Sequence, residues 1–170
     1  MNRFSIAMLI LGMTMACGAA SAAPAKTSSS SAPAAMGVEA KRQMKHFQDD
    51  ILPAELKKFK ESCGFDIAVD VDWDSFGNDA DRIRGVSSNR GLKELNEAFS
   101  KICRDQIGKD GVKSRIQRLA FKNIADRANK KMTLENGVFK IECAYDLKAL
   151  TEGTFPSSAY RSYLEKQGDL

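Results

Sequence analysis

Five oxygen-bearing side chains, Asp70, Asp72, Asp74, Asn78 and Asp81, stand at positions 1, 3, 5, 9 and 12 of one short stretch. That is the spacing with which a loop wraps calcium, a hard cation that takes six to eight oxygens. Three positions depart from the EF-hand pattern: Ser75 replaces the turn glycine, Gly77 the apolar anchor, and Asp81 the bidentate glutamate. The competing reading is a solvated strand face that runs into a polar loop. Three cysteines of the folded region, Cys63, Cys103 and Cys143, allow at most one internal disulfide, from three pairings, and leave one thiol over. There is no C-x-x-C, so neither thioredoxin-type exchange nor a zinc ribbon has support. His46 is the only histidine, which excludes sites that need two imidazoles. A Cys-His pair would need His46 to reach one of those cysteines in space. The patterns G-x-S-x-G, S-x-x-K, H-E-x-x-H and the P-loop are all absent. Paired carboxylates for glycoside hydrolysis are available among many aspartates, but nothing selects one pair. No cofactor is implied.

These residues are carried by recognisable elements. Met44, Phe47 and Ile51, then Leu52, Leu56, Phe59 and Cys63, form one helical face over 38–63. Pro53 removes a backbone donor and predicts a kink or two helices, with Gly64 as the C-terminal cap. Phe65, Ile67, Val69, Val71 and Trp73 alternate with Asp66, Ala68, Asp70 and Asp72, the period of a half-buried strand. The stretch 74–91 is rich in Gly, Asn, Asp and Ser and reads as a long loop. Leu95, Phe99, Ile102 and Cys103 mark a second helix ending near 107–108, followed by a short irregular segment. Residues 115–123 fit a strand or the start of a helix. Asn136-Gly137 between alternating runs predicts a β-hairpin, because both residues accept positive φ. Pro156 opens a last helix carrying Tyr160, Tyr163 and Leu164.

A hairpin forces antiparallel pairing, so the expected fold is α+β: a small antiparallel sheet of three to four strands with helices packed on one face. Cys143 shares a strand face with Phe139, Ile141 and Tyr145, and Cys103 lies on an apolar helix face. A Cys103–Cys143 bridge is therefore open, with Cys63 able to compete for either partner.

Length and composition locate the chain. Its 170 residues suit one domain plus an appendage, and 43% hydrophobic with 28% charged residues exclude a disordered or collagen-like chain. Residues 1–22 have a basic start at Arg3, an apolar run from Ile6 to Met15 and the small ending Ala20-Ser21-Ala22, the three regions of a secretory signal peptide. The apolar run is too short to span a bilayer, which takes about 20 residues. A competing reading takes Cys17 as a lipid acceptor. Its surroundings resemble a lipobox in part: Ala16 fits, whereas Thr14 stands where Leu is usual and Met15 is bulky. Residues 23–37 form a Ser/Ala/Pro-rich tether, and 38–170 a single domain.

Charge is segregated along the chain. Residues 49–81 hold ten acids against three bases, and residues 101–131 hold ten bases against three acids. The preferred reading is mutual neutralisation across neighbouring strands, where opposite charges contribute roughly 0.2–1 kcal/mol per pair. The basic block has no interleaved aromatics beyond Phe121, so no nucleic-acid partner is expected. These features together predict an exported bacterial protein, periplasmic or extracellular. Its domain binds a protein or cell-envelope component, and it meets a membrane only through a lipid on Cys17. The alternatives are a small secreted hydrolase using carboxylates and a secreted effector or inhibitor.

Overall fold

The computed structural model describes residues 36–88 and 90–167. The expected signal peptide, Cys17 and most of the tether lie outside the described residues. Two helices, α1 (Val38–His46) and α2 (Leu52–Cys63), run on through a π-helical turn, Phe47–Ile51, instead of breaking at Pro53. In a regular helix the Pro53 ring would clash with the carbonyl of Asp49. The Leu52 N–H bonds instead to Phe47 O, five residues back, which widens the ladder where the ring needs room. Gly64, with φ 84°, caps α2.

The alternating run yields a strand, β1, over Ala68–Asp72, shorter than the pattern suggested. The stretch expected as a loop folds into two short helices, α3 (Trp73–Phe76) and α4 (Ala80–Ser87). Its polar residues are caps. The Asp72 side chain accepts from Ser75 N at 3.3 Å, and Asp79 accepts from Asp81 N at 3.0 Å and Arg82 N at 3.2 Å. Helix α5 (Leu92–Ile102) stops short of the expected end near 107–108, and Asp105, accepting from Gly108 N at 2.9 Å, starts α6 (Gln106–Arg115), which also covers the segment expected to be irregular. Residues 115–123 resolve as a strand, β2 (Arg118–Asn123). The hairpin is β3 (Lys131–Glu135) and β4 (Val138–Cys143), turning at Asn136 (φ 51°) and Gly137 (φ 78°). A short α7 (Leu150–Gly153) precedes α8 (Ser157–Lys166), which carries Tyr160 and Leu164 into the core.

The class is α+β, but the sheet is mixed. Its order is β1-β2-β4-β3, with β1–β2 and β2–β4 parallel and only β3–β4 antiparallel. Extending the hairpin's direction to every strand was the error. Helices α3, α4, α5 and α6 all lie between β1 and β2 in the chain, and so long a crossover allows parallel pairing. On one face Val71, Leu119, Phe121, Phe139 and Ile141 join the helices in a single core. Phe139 stacks on Tyr163 of α8 and meets Tyr160 edge-on, while Phe59 of α2 meets Phe99 of α5 edge-on. Among the described residues no helix is long and apolar enough to cross a membrane.

The other face carries a charge ladder. The register sets Asp72 beside Lys122, Lys122 beside Glu142, and Glu142 beside Lys131, so signs alternate across all four strands. Lys122 lies 3.9 Å from Asp72, while Glu142 takes Lys131 and Lys140 at 3.2 Å each. Arg118 pairs with Asp70 in the same way. The acidic and basic blocks meet between β1 and β2 through these two pairs, while most other acids of the block 49–81 pair with nearby bases, as Asp79 does with Arg82 and Asp81 with Arg84.

Candidate functional site

The sheet has two edges, β1 and β3. Along β1 a cleft of about 590 Å³ lies between the strand and the helical turn 47–52, opening over the charged face as far as Lys140. Its apolar lining is Phe47, Leu52, Val69, Val71 and Trp73, and its polar lining includes Gln48, Asp49, Asp70, Asp72, Lys122 and Lys140. The π turn forms the facing wall. Phe47, fully buried, meets Trp73 edge-on with centroids 5.5 Å apart, which fixes the helix against the end of β1.

Trp73 is held in turn from below. The Asn123 side chain donates from Nδ2 to Ser75 O at 3.0 Å and accepts from Tyr145 N at 3.1 Å, while Asn123 N donates to Ser75 Oγ at 2.9 Å. One buried amide thereby locks α3, β2 and the exit of β4. The cleft's three carboxylates are committed to ion pairs: Asp49 with Lys45, Asp70 with Arg118 and Asp72 with Lys122.

The calcium-spaced residues are spread over several elements. Asp70 and Asp72 lie on β1, Asp74 in the first turn of α3, and Asp81 in the first turn of α4, paired with Arg84 at 2.5 Å. Asn78 accepts from the Gly37 backbone, tying the chain ahead of α1 to the α3–α4 turn. Among the described residues no group of three or more His, Cys, Asp or Glu side chains is placed to hold a metal ion.

Of the three pairings left open by the sequence, one is formed. The sulfurs of Cys63 and Cys103 lie at disulfide distance, 2.00 Å, joining the C-terminal ends of α2 and α5. The Cys103–Cys143 pairing does not form, because Cys143 points into the core from β4 and remains a free, buried thiol. Burial pushes the Cys143 thiol up to about 12, against small opposing effects of Tyr145 and Lys130. His46 is exposed on α1, where Nδ1 lies 2.7 Å from Asp50. None of the three cysteines thus offers His46 a thiolate.

Compared with protein-family models, curated proteins and solved structures, the chain matches none. What the cleft does is therefore read from its own residues. Sequence reasoning reached Asp70, Asp72 and Trp73 through the alternation of β1, but it missed Gln48, Leu52, Lys122 and Lys140 as lining residues. Pro53 was the available signal for the wall, since a proline inside an amphipathic run must be absorbed by a bulge or a break.

Proposed function

We propose that this protein is an exported, non-catalytic binding domain that takes a protein or cell-envelope component in the cleft beside β1. One observation carries the reading: an apolar cleft with a few placed charges runs along an open strand edge, and a π turn forms its wall. Sites of this composition are the usual ones for ligands, and π turns are frequent where helices serve function. Export is supported by residues 1–22 and fits the Cys63–Cys103 bridge, since oxidising compartments maintain such bonds. The hydrolase alternative has no comparable support, because each carboxylate of the cleft already serves an ion pair.

The test is a photo-crosslinking side chain in place of Gln48, with Lys113 on α6 as the control position, in cells producing the full chain. A discrete adduct of constant mass at Gln48, absent at Lys113, is expected. Equal labelling at both positions, or none at either, would overturn the assignment of the cleft.

A further inference from the structure

We infer that the cleft receives its partner as a fifth strand: an extended segment of alternating apolar and basic residues that pairs with the free edge of β1. This rests on the binding reading above and specifies the chemistry of the partner.

The backbone supplies the first argument. In a parallel ladder alternate residues turn both amide groups toward the neighbouring strand. Ala68 N donates to Gln117 O at 3.4 Å, so Ala68, Asp70 and Asp72 face β2. Val69 and Val71 accordingly turn their N–H and C=O groups the other way, along the cleft. An edge that presents such groups is a template for strand addition.

Side chains supply the second. An added strand continues the two faces of the sheet. Residues on the face of Val69 and Val71 would meet Leu52, part-exposed on the wall beside the buried Phe47, which requires them to be apolar. Residues on the other face would fall beside Asp70 and Asp72. Within the sheet, Glu142 on this face has a lysine on each flanking strand by register, Lys122 on β2 and Lys131 on β3, the latter at 3.2 Å. Asp70 and Asp72, at the edge, have one each, Arg118 and Lys122. The alternation of signs across Asp72, Lys122, Glu142 and Lys131 stops at β1, and the next strand in that order is a positive one.

The same charges argue against other occupants. A second copy of β1 would set aspartate against aspartate, and like charges directly opposite destabilise a pairing. The chain's own segment 24–35 carries one base, Lys26, includes Pro24 and Pro33, and does not alternate.

The experiment uses the isotope-labelled full exported chain and three short synthetic peptides with blocked ends: alternating Lys and Val, alternating Glu and Val, and the Lys-Val peptide with a central proline. The Lys-Val peptide should slow hydrogen exchange at the Val69 and Val71 amides by on the order of tenfold or more. The Glu-Val peptide should bind roughly tenfold more weakly or worse, and the proline peptide should give no protection. Asp70→Asn with Asp72→Asn should erase the preference between Lys and Glu. Val69→Pro, which removes an outward-facing amide and is of the kind edge strands tolerate, should abolish protection at Val71 while keeping the thermal transition.

Equal binding of the Lys and Glu peptides, or protection elsewhere, would overturn the inference. Protection of Val69 and Val71 before any peptide is added would overturn it too, in favour of a second copy if it grows with protein concentration and of segment 24–35 if it does not. Crosslinks from position 48 that persist in Val69→Pro would sink strand addition but leave the binding reading standing; their absence from the parent chain would sink the binding reading itself.

Discussion

Asn123 is 5% exposed, and the backbone N–H of Tyr145 that it accepts is buried too. Removing the amide would orphan that donor and break the bond from Nδ2 to Ser75 O, a loss of about 2 kcal/mol, while the backbone bond from Asn123 N to Ser75 Oγ remains. Asn123→Ala should lower the urea midpoint accordingly and broaden the Trp73 fluorescence; an unchanged midpoint would deny Asn123 its tying role. Cys143 sets an alkaline limit. Its thiol is raised by burial from an ordinary 9.0 to about 12, and burial also raises the hydroxyls of Tyr145 and Tyr160 well above 10.0. The unfolded chain therefore releases these protons first as pH rises. The stabilisation is fully present below about pH 9 and falls as pH climbs toward 12. Denaturant titrations at pH 8 and pH 10.5 should show the loss, and Cys143→Ala should reduce it. At this scale the sequence was informative about inventory and poor about partners. Cys143 was legible as inward-facing from its alternation with Ile141, yet the choice between Cys63 and Cys143 as partner of Cys103 depended on how α5 lies against α2, which no local pattern encodes.

Elements met their expectations where local chemistry decides them. The Asn136-Gly137 turn and the Gly64 cap formed as read, because positive φ leaves few residue choices. The stretch 74–91 did not, since Asp and Asn cap helices as readily as they make loops, and helices this short have no periodicity to display. Strand direction was also invisible: β1 alternates equally well in a parallel or an antiparallel pair, so the mixed sheet followed from the crossover and not from the strand. Helix α4 shows what such packing demands. A Cβ on Gly85 would lie 2.2 Å from Tyr145 O, so α4 touches the backbone leaving β4 directly. Gly85→Ala must push the two apart and should cost about 1–3 kcal/mol, the usual penalty of overpacking. A thermal transition matching the parent's would show that α4 can shift without loss.

Across the whole molecule, the pairing of the opposed charge blocks was legible only where β1 meets β2, at Asp70–Arg118 and Asp72–Lys122; the other acids of 49–81 pair mostly with nearby bases. The cleft was not legible, because it exists only where the helical wall and the strand edge, some twenty residues apart in sequence, come together. The Cys63–Cys103 bridge spans a separation of 40 residues and closes the loop containing β1, α3, α4 and α5. Chain entropy assigns such a closure about 3–4 kcal/mol, so reduction should lower the unfolding free energy by that amount. Mass spectrometry of the unreduced protein should find one free thiol in a chain starting at Ala23, or a lipid-modified Cys17 if the other signal is used; two further thiols would deny the bridge. The strand order has a consequence for how the chain is made. β4, the last strand synthesised, lies inside the sheet between β2 and β3. A nascent chain that has not yet delivered residues 138–143 holds β2 with one flank bare, its Leu119 and Phe121 wanting Phe139 and Ile141 beside them. This sheet therefore cannot close before residues 138–143 take their place, and a chain truncated ahead of them would leave that flank exposed.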